Sequence, residues 1–560
     1  MNDQKADIPP AANEKDRTVL HCLLICCIAL TIYIPLIHGN PWNGNEPTRV
    51  AVAQDMLRTG KWIVPTLHGK LYLTKPPLMN WLIAASGTVF GGINEWSSRV
   101  PSVLAMMATG LVVYFMTRSW LGQNSRFFAA LAVISMTGLV KKGMSAEIDA
   151  LFILSVTGIL LVWLNGYSKG WRPVVLWGTS LFLVGVAFLT KGPHAAVFFY
   201  FTVAAYLLLR RRLSFFFSWA HGIGLLAGVA VLLVYLSALL REMPFSAYLE
   251  MWKTQIASRG ESSRAHGLLK HLAEFPLEAA LSFMPWILLA LPALHRDVRQ
   301  HMRKVLDNEL VVFSLVMMTA NFPLYWLLPN AYVRYFLPAG PFIAIVLAAL
   351  AGSYGPVFSQ QPQRKVLIMK GVRVVAVLVC IAAPAIVVVA LSTGLRLSLP
   401  LAASAILIVL SSVIMALKPA GISFRNLVIP ITLWVGLFTL LFTDINMQKM
   451  VVRGESPKQA AQNIERLMPA GMVKVYEIGY RRILAVTCYL NKEVIELYEF
   501  GQLKDIAPDE QVYFLFDTDL LKNLNDEQKA FYDSMQWEKL GSAMFERGDN
   551  EIVLGRLKFP

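Results

Sequence analysis

Apolar runs long enough to cross a lipid bilayer recur along most of this chain. Each has roughly 17 to 25 residues, the length that a helix needs to cross about 30 Å of hydrocarbon. The first begins near Val19 and the last ends near Phe442. Because unpaired backbone polar groups are costly in lipid, such segments can fold only as helices or a closed barrel. The sequence therefore predicts an α-helical polytopic membrane protein.

The composition supports this class. The 560 residues are 56% hydrophobic and 16% charged, and the mean hydropathy of +0.52 is far above that of an ordinary soluble domain. We count about thirteen predicted spans of membrane-crossing length. They run at about 19–37, 99–118, 126–142, 148–166, 174–190, 194–209, 216–240, 276–294, 309–328, 335–352, 372–392, 398–417 and 426–443.

The net charge of +15 comes from Lys and Arg residues that gather in alternate loops. A nucleic-acid-binding protein would instead collect them on one face. Alternation is the pattern of an inner-membrane protein, whose cytoplasmic loops are the basic ones. The sequence thus predicts membrane lipids and no nucleic acid as partners, and a cytoplasmic N-terminus. An odd number of crossings then places the C-terminal part in the periplasm.

The chain divides into two predicted domains. Residues 1–443 form a transmembrane domain, in which residues 38–98 are a long first periplasmic loop with helices along the membrane surface. Residues 444–560 have the composition of a soluble α/β domain without a catalytic motif, which we expect to cover the site, steer an acceptor or serve as a scaffold. Its predicted elements are a helix capped by Ser456 and Pro457, strands at 472–478, 483–490, 494–500, 512–516 and 551–554, and a helix at 520–535.

Two short polar loops lie on the predicted periplasmic side, one with Glu46 and one with Glu147 and Asp149. Carboxylates at the edge of a bilayer are costly and indicate function. Glu46 is a candidate catalytic base for an acceptor hydroxyl, or a solvated residue paired with Arg49. Asp149 is a second candidate for the same polar site, or an acidic residue favoured at a helix start.

Cations on the same side are candidates for phosphate binding. Lys75 and Lys191 could stabilise a leaving phosphate as its charge grows, although lysines at span ends also extend to the interface for topology alone. Arg259 and Arg334 offer the forked geometry that suits phosphate. Tyr335 beside Arg334 is a further candidate, or an interfacial aromatic residue.

Five segments together resemble the bacterial aminoarabinose transferase family, part of the GT-C group of membrane glycosyltransferases that includes the protein O-mannosyltransferases. They are Gly44-Asn45-Glu46-Pro47-Thr48-Arg49, Tyr72-Leu73-Thr74-Lys75-Pro76-Pro77, Ala146-Glu147-Ile148-Asp149, Leu189-Thr190-Lys191-Gly192-Pro193 and Tyr332-Val333-Arg334-Tyr335. The resemblance implies a GT-C fold, Asp149 as an acidic site residue, and Lys75, Lys191, Arg259 and Arg334 beside a carrier phosphate. The family motif usually begins with Asp where this chain has Asn45, which moves the expected charge to Glu46.

The resemblance also implies a function. The expected enzyme takes a monosaccharide from undecaprenyl phosphate, or another polyprenyl phosphate, and transfers it with inversion to lipid A, lipopolysaccharide or another envelope glycan. Asp149 is expected to orient the sugar or the acceptor. If the acceptor is itself a phosphate, as with lipid A, no base is needed and Glu46 would only position groups. One alternative is a protein O-glycosyltransferase. Another is a transporter or flippase of polyprenyl-linked sugars, which would show charged groups at mid-membrane and an internal repeat. No residue cluster has metal-ligand spacing, so a divalent metal is allowed but not required, and nucleotide-binding motifs are absent from the sequence.

Overall fold

The computed structural model describes most of the chain. The described residues are 17–37, 39–247, 249–250, 253, 268–294, 305–329, 331–359, 362–417, 424–453, 456–471, 473–479, 483–506, 511–545 and 550–558. The predicted phosphate ligand Arg259 falls outside these ranges.

Sixteen helices make up the membrane part and the first loop within the described residues. They are α1 Thr18–Ile37, α2 Glu46–Thr59, α3 Leu78–Val89, α4 Glu95–Met116, α5 Gln123–Ser135, α6 Thr137–Gly143, α7 Asp149–Ser168, α8 Pro173–Lys191, α9 His194–Leu209, α10 Trp219–Glu242, α11 Leu268–Ser282, α12 Glu309–Trp326, α13 Gly340–Ser359, α14 Pro362–Ser392, α15 Leu399–Leu417 and α16 Phe424–Val452. Short 3-10 segments lie at Leu213–Phe215, Trp286–Leu294, Val333–Tyr335 and Leu337–Ala339.

The bundle has the dimensions of a multi-pass membrane protein, as the sequence predicts. In the described part of the chain, nine helices are long and apolar enough to cross a membrane. Leu78–Val89, His194–Leu209 and Leu337–Gly352 are shorter apolar helices. Several long helices keep most of their apolar surface outside the protein core. In the most apolar 18-residue stretch of α10, only 11% of the residues are buried within the protein, as expected for a helix with lipid around it.

Two predicted spans are not continuous helices. The predicted span at 126–142 breaks at Met136, whose extended backbone (ψ 131°) separates α5 from α6. The predicted span at 276–294 breaks after α11, where Pro285 has no N–H to continue the helical hydrogen bonding. The two breaks are in contact: Thr137 N donates to the Met284 carbonyl oxygen at 3.0 Å. A Cβ on Gly138 would lie 2.7 Å from that of Ser282, so glycine permits this close approach.

The first loop folds between the bundle and the C-terminal domain. It contains α2, a two-residue-per-strand hairpin of β1 Thr66–Leu67 and β2 Lys70–Leu71, and α3. An Asn94 capping box then starts α4: the Asn94 side chain accepts from Ser97 N, and Ser97 Oγ accepts from Asn94 N. The loop is thus an ordered platform whose chain direction into α4 is fixed by local hydrogen bonds.

The C-terminal domain is built on a five-stranded mixed sheet. Its strands are β3 Lys474–Ile478, β4 Glu493–Leu497, β5 Tyr513–Asp517, β6 Trp537–Phe545 and β7 Asn550–Leu557, and its helices are α17 Pro457–Glu465, α18 Leu484–Thr487 and α19 Asp526–Ser534, with 3-10 segments at Phe500–Asp505 and Thr518–Asn523. The strand order is β4-β3-β5-β7-β6, with β3 parallel to β4 and β5 and the other pairs antiparallel. The predicted α/β class is confirmed.

Some details of this domain differ from the sequence prediction. The expected strand at 483–490 contains the helix α18, which docks Leu484 and Cys488 against apolar residues of the first loop. Strand β6 was not expected. The predicted helix at 520–535 is a 3-10 segment followed by α19, and α17 begins at Pro457 as predicted but without a side-chain capping bond from Ser456. Helix α16 extends to Val452, past the predicted division at 443.

Polar and aromatic contacts join the C-terminal domain to the first loop. The rings of Trp42 and Tyr489 stack with centroids 4.3 Å apart, and Trp42 N donates to the Tyr489 hydroxyl at 2.7 Å. Gln54 Nε2 donates to the Cys488 carbonyl oxygen at 3.0 Å. Because the loop also bonds to the helices below it, the domain rests on the same end of the bundle as Glu46.

Candidate active site

Five charged side chains from four separate elements converge at the end of the bundle that carries the first loop. They are Lys142 from the end of α6, Glu147 and Asp149 at the start of α7, Lys191 at the end of α8, and Arg334 from the 3-10 segment Val333–Tyr335. We call this group the Asp149 cluster. It brings together three residues that the sequence predicted for the site, Asp149, Lys191 and Arg334.

Asp149 is the centre of the cluster and is only 3% exposed. Lys191 Nζ donates to its Oδ1 at 2.5 Å, and Lys142 Nζ lies 3.3 Å from its Oδ2. The Lys191 ammonium also lies 4.8 Å from the ring centroids of both Phe152 and Tyr335. Rings at this distance stabilise a cation, so Tyr335 contributes more here than a lone interfacial tyrosine.

Lys142 bridges the two carboxylates of the cluster. Besides Asp149, its Nζ contacts Glu147 Oε2. The other Glu147 oxygen, Oε1, lies 3.5 Å from Asn45 Nδ2. Lys142 was not predicted from the sequence, although one signal was present: the Lys141-Lys142 pair ends an apolar run on the predicted periplasmic side, where positive charge is less frequent.

Arg334 completes the cluster from the side of α13. Burial disfavours its charged form, but the fields of Asp149 and Glu147 hold the pKa of Arg334 above its ordinary value. Its guanidinium carbon lies 4.8 Å from the Tyr332 ring and 5.6 Å from the Tyr335 ring. The five side chains thus comprise three cations and two carboxylates, an excess of one positive charge that suits an anionic ligand.

Glu46 belongs to a different and closed arrangement. Its Oε1 accepts from Arg99 Nε and from Ala146 N, both at 2.7 Å. Its Oε2 accepts from Arg99 Nη2 at 2.8 Å and from Asn43 N at 3.0 Å. Arg99 also donates to three backbone carbonyl oxygens, those of Ile37, Asn40 and Pro41.

These contacts oppose the predicted role of Glu46 as catalytic base. Four donors occupy its two oxygens, and the residue is 1% exposed, so no oxygen remains to accept a proton from a substrate. The alternative partner from the sequence, Arg49, instead donates to the Tyr72 hydroxyl at 2.7 Å. Glu46 therefore ties the first loop to α4 and to the backbone beside Glu147.

Two of the predicted phosphate ligands, Lys75 and Arg259, are not tested by these contacts. Lys75 lies half-buried in the turn before α3, and its role at a phosphate stays a prediction. The same holds for Arg259, outside the described ranges. Within the residues that the structure describes, no group of three or more His, Cys, Asp and Glu side chains could hold a metal ion. A divalent metal stays a prediction, to be tested by adding a chelator.

Comparisons with known proteins agree with the sequence motifs. Residues 74–237 match the family described as dolichyl-phosphate-mannose-protein mannosyltransferase. An undecaprenyl phosphate-alpha-4-amino-4-deoxy-L-arabinose arabinosyl transferase of Pseudomonas fluorescens is 27% identical over 305 residues, which are 54% of this chain and 54% of the relative. The corresponding transferase of Pseudomonas savastanoi is 29% identical over 195 residues, 34% of this chain and 36% of the relative. The chain spans about half the length, or less, of these curated relatives.

A solved structure matches nearly the whole fold. The crystal structure of ArnT from Cupriavidus metallidurans bound to undecaprenyl phosphate superposes with a TM-score of 0.66 and 17% identity, covering 96% of this chain and 98% of ArnT. The apo form of the same protein superposes with a TM-score of 0.67 at 14% identity. The chain therefore has the GT-C fold of ArnT, and the resemblance of its motifs to the aminoarabinose transferase family is confirmed.

Proposed function

We propose that this chain is a glycosyltransferase that moves a monosaccharide from a polyprenyl phosphate carrier to an acceptor at the periplasmic face of the inner membrane. The observation that carries the proposal is the Asp149 cluster, a buried group of charges with a positive excess at one end of a membrane helix bundle. A lipid-linked phosphate reaches such a place with its chain still in the bilayer.

The charges of the cluster suit the charge change of the reaction. A sugar joined to a carrier phosphate is a phosphodiester with one negative charge. When the glycosidic bond breaks, the leaving phosphate gains a second charge. Cations already in place, Lys191 and Arg334, therefore interact more strongly with the transition state than with the bound donor, which lowers the barrier.

The carboxylates of the cluster have a positioning role in this proposal. Asp149 holds the Lys191 ammonium by a short hydrogen bond, and the rings of Phe152 and Tyr335 confine it further. A lysine held in this way loses little conformational freedom when phosphate arrives. Lys75 and Arg259 are proposed as further phosphate ligands, on the strength of the family resemblance alone.

The relatives suggest the carrier and a sugar, and the family resemblance suggests the acceptor. Their names specify undecaprenyl phosphate and aminoarabinose, and the ArnT crystal structure holds undecaprenyl phosphate. We propose undecaprenyl phosphate as the carrier and a lipid or glycan of the envelope, such as lipid A, as the acceptor. A transporter fits less well, because the charged residues gather at one end of the helices rather than at mid-membrane.

The proposal is tested by reconstituting the full chain in nanodiscs. Undecaprenyl phosphate linked to aminoarabinose, glucose or mannose is supplied with lipid A, and mass spectrometry measures the glycosylated product and the free carrier phosphate. With one of the three sugars, we expect glycosylated product and free carrier phosphate to form in equal amounts. As a control, Glu309→Gln changes a carboxylate at the first residue of α12, away from the cluster, and should not alter turnover. Movement of intact donor across the bilayer without cleavage would contradict the proposal.

A further inference from the structure

We propose that Glu147 is the catalytic base of the transfer, and that the acceptor group is therefore a hydroxyl. This inference rests on the proposed glycosyl transfer. It assigns the role of proton acceptor to Glu147, to which the family resemblance gave no role, in place of Glu46.

The three carboxylates that meet around Ala146 differ in how fully their oxygens are used. Glu46 accepts four hydrogen bonds through two oxygens. Asp149 has a lysine ammonium on each oxygen. Glu147 has a lysine ammonium on Oε2 only. Its Oε1 accepts from Asn45 Nδ2 at the long distance of 3.5 Å. Oε1 of Glu147 is thus the least occupied carboxylate oxygen of the three.

Exposure points to the same residue. The side chain of Glu147 is 10% exposed, compared with 2% for Glu46 and 4% for Asp149. A base must reach the proton that it removes to within hydrogen-bond distance. Among the three, Glu147 offers the best access from outside the protein, and it lies within the field of Arg334, beside the proposed phosphate site.

The chemical step balances with Glu147 as base. The acceptor hydroxyl oxygen attacks the anomeric carbon of the sugar and forms the new glycosidic bond. Its proton passes to Glu147 Oε1. The bond from the anomeric carbon to the phosphate oxygen breaks, and its electron pair leaves on the phosphate, which Lys191 and Arg334 hold. Lys142 on Oε2 holds the carboxylate in place while the proton is transferred.

Asn45 offers a way to test this assignment by moving the carboxylate. Its Nδ2 faces Glu147 Oε1 across a single contact, so Asn45→Asp in an otherwise unchanged chain would set two carboxylates against each other. Combined with Glu147→Gln, the same change exchanges the acid and the amide across that contact. The carboxylate then lies on the loop side with the total charge preserved.

The experiment compares the wild type, Glu147→Gln, the double variant Asn45→Asp/Glu147→Gln and the control Glu309→Gln in nanodiscs. Release of carrier phosphate measures transfer, and titration with undecaprenyl phosphate measures carrier binding. We expect Glu147→Gln to lower transfer at least about 100-fold without weakening carrier binding, since the variant keeps all three cations of the cluster. The double variant should recover at least about tenfold over Glu147→Gln, a gain that a merely structural role of Glu147 would not give.

Three results decide the matter. Wild-type transfer by Glu147→Gln would overturn the assignment and leave the glycosyltransferase proposal intact. Parallel loss of carrier binding and transfer, with no recovery in the double variant, would show a structural role and also overturn it. If the wild type releases no carrier phosphate from any supplied donor, the proposed function itself fails, whatever the variants do.

Discussion

Glu46 with Arg99, and Asp149 with its lysines, are two buried ion-pair groups at the same end of one helix bundle. The first is closed: one cation faces one carboxylate, and backbone groups take the remaining hydrogen bonds. The second is open: Lys142, Lys191 and Arg334 outnumber the two carboxylates. A closed pair has nothing left for a ligand, whereas an open group gains from binding an anion. The comparison separates a carboxylate whose hydrogen-bond positions are all filled from one that lies among excess cations, a difference that residue type alone cannot show.

The largest effect should come from breaking the closed pair. Glu46→Gln leaves the Arg99 charge buried and uncompensated, which costs about 3 to 5 kcal/mol of folding free energy. Thermal unfolding in nanodiscs, followed by tryptophan fluorescence, measures this loss. A variant with unchanged thermal stability but no transfer would break the comparison and return Glu46 to the role of base.

The next effect should come from the open group and appear in turnover. Lys191→Met removes a cation from the leaving phosphate and should lower transfer about 100- to 1000-fold. The fold should survive, because Lys142 still lies 3.3 Å from Asp149. Carrier-phosphate release and thermal unfolding are measured on the same sample. A stability loss as large as that of Glu46→Gln would place Lys191 among the structural residues.

Lys142→Gln tests the bridge between the two carboxylates. A hydrogen bond to a charged group contributes about 1.5 to 3 kcal/mol, so kcat/KM should fall about 10- to 100-fold. The matched control is Lys141→Gln, which removes the same charge from the exposed neighbour. Equal kcat/KM values for the two variants would show that net charge near the site matters, and not the bridge.

The smallest effect should come from an ion pair between the domains. Lys458 Nζ lies 2.6 Å from Glu95 Oε1, but its side chain is 42% exposed. Solvent screens such a pair, so Lys458→Ala should cost less than about 1 kcal/mol and leave turnover unchanged. The thermal unfolding temperature at low and high salt measures this. A loss comparable to that of Glu46→Gln would mean that the domain contact depends on charge more than on the stacked rings.

Hydrophobic pattern was enough to predict the membrane part, and it failed where tertiary contacts decide local structure. The runs at 126–142 and 276–294 are mostly apolar, so their periodicity does not reveal the break at Met136. Pro285 was a signal for the second break, because proline cannot continue helical hydrogen bonding. Likewise, the run Ile483 to Leu490 is rich in strand-forming residues but turns helical to dock on the first loop. Strand β6 was missed because Gly541 and an adjacent register shift interrupt its pattern.

The grouping of the site candidates was predicted, but their pairings were not. Asp149, Lys191 and Arg334 were singled out because charge at a bilayer edge is informative on its own; they lie together in the Asp149 cluster, and their roles stay predictions. Arg99 and Lys142 were not predicted, because each can be recognised only through the carboxylate that it contacts on another element. The alternative pairing of Glu46 with Arg49 failed for the same reason: its partner Arg99 lies 53 positions along the chain, whereas Arg49 is a near neighbour in sequence.

The contact between Trp42 and Tyr489 joins positions 447 residues apart, and this separation has a consequence for biosynthesis. At roughly 5 to 20 residues per second, a ribosome needs about 20 to 90 s to reach the second partner after making the first. Throughout that interval the nascent loop has an uncovered apolar surface around Trp42. A prematurely terminated polypeptide keeps that surface bare, so cellular proteases and chaperones can distinguish it from the finished product.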